Sequence, residues 1–373
     1  MPPSIKDVAL RAGVSVGTVS NVMNKPEVVS ALTRDRVLAA ITDLGFVRNE
    51  SARSLRVGKS RTVGLVVLDL GNPFFSDLAR GAEQIADERG SIVTLCSSGE
   101  DSEREQRLLI QFEQQRVQGI LISPVRDTSQ LLEQIAQIVK RGTPVVLVDR
   151  ASTRLDRCSV AVDDVMGGRL AAEHLLERGH RRMIFVGGPS TIQQVADRQL
   201  GALRVAACQE GAALEVLETS ALTLAGGQDA GRALASTPAA LRPSGVICAN
   251  DLIALGLLQE VLRHGVRVPE DLSIVGYDDI AFAEAAVVPL SSVRQPRQQL
   301  GREAAKLLLE EIDEAETHNH RHVVFEPELV VRESSDYQHR QMAPLAATPQ
   351  PAQTDGEQTA KFPGFSGHTT LGH

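Results

Sequence analysis

The four cysteines of this 373-residue chain are too few and too widely spaced to form a recognisable motif. Each lies 40 or more positions from the next, and no C-x-x-C pair is present. This spacing argues against zinc ribbons and against the disulfide frameworks of small secreted proteins. Buried free thiols are the simpler expectation for all four, Cys96, Cys158, Cys208 and Cys248.

Long apolar runs are missing as well. No run approaches the roughly 18 residues that a transmembrane helix requires. The first seven residues, MPPSIKD, contain no hydrophobic segment of the kind found in signal peptides. We therefore expect no membrane span and a cytoplasmic location.

Sequence motifs of common enzyme classes are absent. The chain has no G-x-S-x-G, Walker loop, G-x-G-x-x-G or H-E-x-x-H motif. The segment 364–368, GFSGH, lacks the last glycine of a nucleophile elbow. An enzyme is the competing class of function, and we expect none, with no cofactor.

One histidine-rich segment allows a metal site. His318, His320 and His322 alternate along the chain and could place three imidazoles on one face of a strand. Histidines in a polar loop are more often simply solvated. The interpretation favoured by the sequence is therefore no metal.

Charge is distributed unevenly. The net charge is −8, yet residues 1–61 contain ten basic and five acidic side chains, which leaves −13 on the remainder. A basic head on an acidic body suits a head that contacts a polyanion and a body that does not. The length also exceeds one ordinary domain, so several folding units are expected.

The head, 1–49, has the pattern of three short helices. Ser4 and Asp7 have capping-box spacing ahead of an apolar stripe, and Gly13 allows a tight turn. A second helix follows from Ser15 to Asn24, and Pro26 prevents its extension. A third is predicted over 30–44, where Gly45 favours a left-handed C-cap.

A helix, a glycine turn and a second helix constitute a helix-turn-helix. The start of the second helix offers small polar or methyl-bearing side chains that can approach base edges in the major groove. The candidates are Ser15, Val16, Gly17, Thr18, Ser20 and Asn21. The competing interpretation is a purely structural three-helix bundle with a polar surface.

From position 61 onward, short β-branched runs alternate with amphipathic helical stretches. This alternation predicts right-handed βαβ units, with parallel sheets covered on both faces. About 270 residues of such sequence suffice for two lobes. The predicted strands are 62–68, 91–96, 119–122, 144–148, 158–162, 182–186, 244–248 and 272–276.

Polar and aromatic residues follow the carboxyl ends of these strands, where α/β proteins bind ligands. Carboxylate, amide and guanidinium groups can hold vicinal hydroxyls in pairs, and an aromatic face can cover the C–H side of a sugar. The effector set is Asn72, Phe74, Phe75, Asp149, Arg150, Arg198, Asn250, Asp278 and Gln295. Each alone is more often a helix cap or a surface charge, so the prediction depends on their convergence.

The head motifs are similar to those of the LacI/GalR family of bacterial repressors. The matching stretches are 5–9, 12–24, 33–37, 44–46 and 49–55, and the resemblance spans about 4–333. It implies a transcription repressor, with Asn24 and Arg34 added to the DNA contacts. Many members have arginine at the position of Asn21, which leaves open which bases are read.

The resemblance also implies a hinge helix within 50–60 that folds on the operator. From the sequence alone this segment is only a short helix or linker. In a homodimer, two hinges would enter the minor groove of a pseudo-palindromic operator, with Leu55 wedged at the central base step. Ala52 permits close approach, and Arg53 and Arg56 would meet phosphates or the groove floor.

For the body, 61–335, the resemblance implies an α/β fold like that of periplasmic sugar-binding proteins, with two lobes joined by three crossovers. The first lobe is expected over 61–161 and 291–320, and the second over 162–290 and 321–335. The tail, 336–373, is rich in proline, glutamine, threonine and glycine, and is expected to be disordered.

The effector set resembles that of ribose-binding family members, so a monosaccharide such as a pentose is expected. One departure is that 221–225 contains no aromatic residue, whereas pentose binders have one there. A purine corepressor stacked on Phe74 is the alternative ligand. A solute-binding protein is the alternative of a different class, against which the basic head argues.

Overall fold

Three helices pack together near the start of the chain, followed by a larger α/β body. The computed structural model describes residues 3–47, 60–126, 128–150 and 156–336. The tail from 337 onward lies outside this part, as does the predicted hinge apart from residue 60. The hinge residues concerned are Ala52, Arg53, Leu55 and Arg56.

The head helices begin and end where the sequence predicts. They are α1 (Ile5–Ala12), α2 (Val16–Asn24) and α3 (Ala31–Leu44), with a 3₁₀ turn at Pro26–Val28. The carboxylate of Asp7 accepts hydrogen bonds from both the backbone N–H and the hydroxyl of Ser4, at 2.8 and 2.7 Å. Gly13 and Gly45 end α1 and α3 in the left-handed region, with φ of 63° and 61°.

Apolar side chains from all three helices form a separate small core in the head. Val8 of α1, Val19 of α2 and Val37 of α3 are fully buried in it. A continuous apolar centre of this kind fixes the angle between α1 and α2, so the start of α2 is held outward.

The body contains nine helices within the described residues, alternating with strands. They are α4 (Pro73–Glu88), α5 (Ser102–Gln114), α6 (Ser129–Lys140), α7 (Asp164–Glu177), α8 (Gln193–Cys208), α9 (Leu224–Ser236), α10 (Asp251–Arg263), α11 (Ala281–Glu284) and α12 (Arg297–Asp313). Within the ranges described, no helix has the length and apolar character needed to cross a membrane.

Two six-stranded sheets form the two lobes. The first has the order β11-β5-β4-β3-β1-β2 and is entirely parallel. Its strands are β1 (Thr62–Val67), β2 (Ile92–Ser97), β3 (Gly119–Ile122), β4 (Val145–Val148), β5 (Ser159–Val162) and β11 (His322–Phe325). The predicted strands of this lobe are confirmed to within one residue at either end, and β11 is an addition to them.

The second sheet has the order β12-β10-β9-β8-β6-β7. It is parallel except for β12, which runs antiparallel to β10. Its strands are β6 (Arg182–Gly187), β7 (Ala213–Glu218), β8 (Gly245–Cys248), β9 (Ser273–Asp278), β10 (Ser291–Arg294) and β12 (Glu328–Val330). Strands β7, β10 and β12 were not among those predicted from the sequence.

The chain passes between the lobes three times, as expected, but two crossing points differ from the prediction. The expected boundaries at 291 and 321 are wrong, because β10 pairs with β9 in the second lobe and β11 pairs with β5 in the first. The crossings therefore follow β5, β10 and β11. The backbone N–H of Asp163 donates to the carbonyl of Phe325 at 3.0 Å, which joins the first and third crossings.

Paired glycines let helices of the body approach closely. A methyl group at Gly81 of α4 would overlap the carbonyl of Gln298, and one at Gly301 of α12 would overlap that of Leu78. The pairs α7–α8 and α9–α10 contain the same arrangement. In the first lobe, this contact brings the start of α4, which carries Asn72 and Phe74, beside the start of α12.

Gly301→Ala is expected to lower the free energy of unfolding by about 1–3 kcal/mol, because the added methyl must push two close-packed backbones apart. Denaturant unfolding of the full chain measures this. Lys306→Ala on the exposed face of α12 is the control and should change stability by less than about 0.5 kcal/mol. Equal stability of the two variants would show that α4 and α12 separate at little cost.

Candidate functional site

The start of α2 presents a small, polar surface to solvent. Val16, Gly17 and Asn21 are exposed, and Thr18 and Ser20 are half-buried. The hydroxyl of Ser15 accepts the Thr18 backbone N–H at 3.0 Å and lies 2.9 Å from the Thr18 hydroxyl. The cap therefore orients Thr18, while Val16, Gly17 and Asn21 remain accessible.

Two further predicted DNA contacts lie farther from the start of α2. Asn24 is exposed at its last turn, where the side-chain amide donates to the Ser20 carbonyl at 2.8 Å. Arg34 is half-buried in the first turn of α3. This hydrogen bond of Asn24 stabilises the last turn of α2, just before the chain leaves the helix at Pro26.

A cavity lies between the lobes at the carboxyl ends of the strands. The lobes lie close together here, and the volume of the cavity is about 30 Å³. Eight of the nine predicted effector residues line it: Asn72, Phe74, Phe75, Asp149, Arg198, Asn250, Asp278 and Gln295. The remaining lining residues are Leu68, Asp69, Glu100, Ile192, Gln194, Val195 and Leu222.

Arg150 is the predicted effector residue that does not line the cavity. It is buried, and its charge lowers the pKa of Glu105, although burial of that carboxyl raises the pKa more strongly, to about 7. The left-handed backbone of Asp149, with φ of 62°, turns the chain sharply at this strand end. The consecutive side chains of Asp149 and Arg150 therefore point to different places, and only Asp149 lines the cavity.

Helix capping fixes two of the cavity amides. The Oδ1 atom of Asn72 accepts the Phe74 N–H at 3.0 Å and caps α4, while Asn250 Oδ1 accepts the Ile253 N–H at 2.9 Å and caps α10. Both residues also line the cavity, so capping and lining are compatible roles. Each amide is thereby held in one orientation.

Direct hydrogen bonds cross the cleft. Asn72 Nδ2 of the first lobe donates to Asp278 Oδ2 of the second at 2.9 Å. In the opposite direction, Gln194 Nε2 of α8 donates to the carbonyl and to Oδ2 of Asp149, both at 3.0 Å. Gln295, at the second crossing, donates to Asp278 Oδ1 at 2.7 Å. The hydrogen bonds of Asp149 and Asp278 between the lobes therefore depend on how far apart the lobes are.

Arg198 occupies the floor of the second lobe. Its Nε donates to Asp164 Oδ1 at 2.8 Å, and its NH1 donates to the Ala249 carbonyl at 2.7 Å. The guanidinium lies 3.7 Å from the centre of the Tyr277 ring and 3.9 Å from Asp278 Oδ1. One buried cation therefore connects two carboxylates and an aromatic face.

Negative charge exceeds positive charge in this interior. Burial raises the pKa of Asp149 well above its usual value, the charge of Asp164 raises it further, and Arg198 only partly opposes this. Burial also raises the pKa of Asp278 despite Arg198 and the amides of Asn72 and Gln295. Burial lowers the pKa of Arg198, but Asp164 and the other carboxylates raise it more, so this side chain stays charged.

Backbone strain is concentrated at the same strand ends. Asp149, Asp278 and Asp279 have φ values of 62°, 98° and 51°, in the region that disfavours ordinary side chains. Asp279 is held by Arg332 at 2.7 Å and Arg294 at 2.6 Å. Such strain persists where the surrounding bonds over-determine the conformation, as they do here.

One side of the cavity is apolar. The rings of Phe74 and Phe75 meet edge to face, with centroids 4.9 Å apart and an angle of 84° between the planes. Leu222 of the second lobe lines the cavity from the stretch that lacks an aromatic residue. Its carbonyl accepts Asn250 Nδ2 at 3.1 Å, so an aliphatic wall stands where an aromatic one was considered.

Sequence reasoning missed Gln194, Asp164 and Tyr277. Gln194 is in the first turn of α8 and does not directly follow a strand, so the strand-end rule could not select it. Asp164 and Tyr277 lie behind Arg198, and the Tyr277 hydroxyl donates to Asp164 Oδ1 at 2.9 Å. A polar residue at the start of each helix facing the cleft is the signal that would have found two of the three.

Asp149→Asn is expected to stabilise the ligand-free chain at neutral pH. The folded-state pKa of Asp149 is raised, so its contribution to stability falls as the pH rises through the folded pKa. Asparagine has the same shape without the charge. The melting temperature should rise by about 2–4 °C for each kcal/mol gained.

Asp197→Asn, on the same helix as Gln194 but half-exposed, is the control and should leave the melting temperature nearly unchanged. Thermal unfolding at pH 5 and pH 8 checks the sign. The advantage of Asp149→Asn should be larger at pH 8. A destabilised Asp149→Asn chain would show that Asp149 is favourably charged in the fold.

Comparison with known proteins agrees with this architecture. Residues 4–49 match the family described as bacterial regulatory proteins, lacI family, and residues 172–335 match the periplasmic binding protein-like domain. The ribose operon repressor of Bacillus subtilis (strain 168) is 39% identical over 307 residues, which cover 82% of this chain and 90% of that protein.

Solved structures give the same result. A lac repressor dimer bound to operator and an anti-inducer matches with a TM-score of 0.76 and 26% identity, covering 90% of this chain and 99% of that one. A LacI family regulator from Enterococcus faecium with bound ribose matches with a TM-score of 0.64 and 30% identity, covering 73% and 98%. The chain therefore belongs to the lacI family of bacterial regulatory proteins.

Proposed function

We propose that this chain is a sequence-specific transcription repressor whose affinity for operator DNA is controlled by a monosaccharide, with ribose or another pentose as the first candidate. The observation that carries the proposal is the interlobe cavity, in which fixed amides and carboxylates face a pair of phenylalanines. The exposed polar start of α2 supplies the DNA-reading surface.

The cavity chemistry suits a polyol. Asp149 and Asp278 are acceptors, and Asn72, Asn250 and Arg198 are donors, so vicinal hydroxyls can bond to neighbouring groups in pairs. A sugar offers a hydroxyl donor on most of its carbons, which matches the excess of carboxylates. The Phe74–Phe75 pair covers the C–H face. The similarity to ribose operon repressors supports a pentose.

A purine corepressor is the alternative. It would stack on Phe74 and have fewer hydrogen-bond donors for the buried carboxylates. Leu222 provides an aliphatic wall on the side of the second lobe and does not supply a second stacking ring. The sugar is therefore favoured, and the purine remains an outcome that the experiment below distinguishes.

The proposed division of labour assigns 1–49 to reading one operator half-site and 50–60 to a hinge in the minor groove. The body, 61–335, then binds effector and forms a homodimer on a pseudo-palindromic operator. We also propose a cytoplasmic location, because the operator DNA is there. We propose no enzymatic activity, because the relatives in this family are repressors.

The interlobe bonds suggest how the effector acts. Asn72–Asp278 and Gln194–Asp149 each join one lobe to the other, so a ligand that bonds to both carboxylates changes the relative free energies of lobe arrangements. Only differential binding can shift such an equilibrium. We propose that sugar favours the arrangement in which paired hinges cannot enter the minor groove, which makes the sugar an inducer.

Thermal unfolding of the full chain with D-ribose, D-xylose, D-glucose, hypoxanthine and guanine tests the ligand class. A ligand at 100 times its dissociation constant adds roughly 2.7 kcal/mol to stability. Stabilisation by a monosaccharide is the expected result. Stabilisation by a purine alone would replace the sugar with a corepressor and reverse the sign of regulation.

Two variants separate DNA binding from effector binding on a duplex selected from a randomised DNA pool. Leu55→Ala should weaken DNA binding and keep stabilisation by ribose. Asp149→Asn should keep DNA binding and lose release by ribose. Arg198 is unsuited to this test, because its removal leaves Asp164 buried without its cation. Loss of DNA binding by folded Asp149→Asn would contradict the division of labour.

A further inference from the structure

A second cluster of reactive side chains lies at the opposite end of the first lobe from the effector cavity. It contains Cys158, immediately before β5, Glu311 in the last turn of α12, and His318 and His320 in the loop that leads to β11. One donor atom from each lies within 4.8 Å of all the others. The effector cavity is at the carboxyl ends of the strands, and this cluster is at their amino ends.

The sulfur atom is the centre of the cluster. Cys158 Sγ lies 3.1 Å from His318 Nε2 and 3.8 Å from His320 Nδ1. Glu311 Oε2 lies 4.0 Å from His320 Nδ1. The expectation that the histidines of this segment are simply solvated is wrong for His320, whose side chain is only 17% exposed.

Glu311 Oε2 is the observation that points to a ligand. This oxygen is buried and has no hydrogen-bond partner among the described residues. A buried carboxylate oxygen without a partner is costly, and such groups in native proteins normally meet a donor or a cation. A thiol and two imidazoles, which are themselves metal-binding groups, have donor atoms within 4.8 Å of the Glu311 carboxylate.

We propose that Cys158, Glu311, His318 and His320 bind one divalent transition-metal ion of the zinc type. The donor set of one sulfur, two nitrogens and one oxygen is that of tetrahedral zinc, whereas calcium and magnesium prefer oxygen alone. Tetrahedral ligands at zinc distances lie about 3.3–3.8 Å apart. The observed separations therefore need only small side-chain movements, and the thiol proton leaves to solvent on binding.

The surroundings of the cluster are consistent with metal binding. The backbone N–H of Arg321 donates to Cys158 Sγ at 3.4 Å and would stabilise the thiolate. Gly142, Pro144 and Ala315 border an adjoining cavity that reaches His318 and His320, which gives an ion a route inward.

Arg157 opposes metal binding from the other side of the His320 ring. Its guanidinium lies 2.8 Å from His320 Nε2, as a donor. When the metal binds Nδ1 of a neutral imidazole, Nε2 carries the proton and can no longer accept that bond. The half-buried Arg157 side chain must then turn away from Nε2. Its positive charge also repels the metal ion, so Arg157 weakens metal binding in both ways.

The site would connect three segments that each lead to a crossing between the lobes. β5 runs from Cys158 to the first crossing, α12 runs from the second crossing to Glu311, and β11 runs from His320 to the third. A metal ion there fixes the far ends of all three. The inferred role is structural, and it is independent of the ligand proposed for the effector cavity.

The test uses the untagged full chain after chelator treatment, titrated with Co²⁺ and then with Zn²⁺. One equivalent of Co²⁺ should produce a thiolate-to-cobalt charge-transfer band and the visible bands of tetrahedral cobalt, and Zn²⁺ should abolish both. Absence of the charge-transfer band would overturn the proposal.

Variants locate the site. Cys158→Ser should remove the charge-transfer band, and Glu311→Gln and His320→Gln should weaken Zn²⁺ binding by at least about 100-fold. The matched controls are Cys208→Ser, an exposed thiol in the second lobe, and His322→Gln, an exposed imidazole bonded to Ser159 at 2.8 Å. Both controls should bind as the unchanged chain does.

Arg157→Gln guards against variants that fail to fold, because it removes no ligand and should tighten Zn²⁺ binding. Each variant is first melted in the presence of chelator to establish that it is folded. A charge-transfer band that persists in Cys158→Ser, or one lost equally in Cys208→Ser, would place the metal elsewhere and refute the assignment.

Discussion

The buried pair of Arg198 and Asp164 is the interaction on which the effector site depends. A charge this deep is tolerated when it is paired and hydrogen-bonded, and Arg198 is paired with Asp164, donates to the Ala249 carbonyl and lies against the Tyr277 ring. Because the guanidinium is fixed, Asp278 has a cation at a set distance. The strained backbone at Asp278 then aims its carboxylate across the cleft to Asn72.

The buried carboxylates of the cavity lower the stability of the ligand-free fold. Asp149 and Asp278 are buried with too little positive charge nearby, which raises the pKa of both. Helix caps and glycine-packed helices hold these groups in place despite their repulsion. A ligand that supplies hydroxyl donors relieves the excess of acceptors, so the free energy lost in the fold is recovered on binding.

The sequence predicted what is local or repeated. Apolar runs gave the central strands, and the rule that ligands bind at strand ends gave eight lining residues, because parallel strands all end at one edge. It missed β7, whose residues are mostly exposed at a sheet edge, and the short strands β10, β11 and β12, whose pairing is set by the crossings. The sequence indicated the histidines as possible metal ligands but not Cys158, which lies more than 150 positions before Glu311 and is brought close to them only when β11 pairs with β5.

The exchange of strands between the lobes has a consequence for synthesis of the chain. The first lobe needs α12 and β11, which are made only after the whole sequence of the second lobe except β12 has been translated. The head, by contrast, contains its complete core within 47 residues and can fold as soon as it leaves the ribosome. During most of translation, a DNA-reading unit is therefore attached to an unfinished body with exposed sheet edges, a period in which the nascent chain depends most on protection from aggregation.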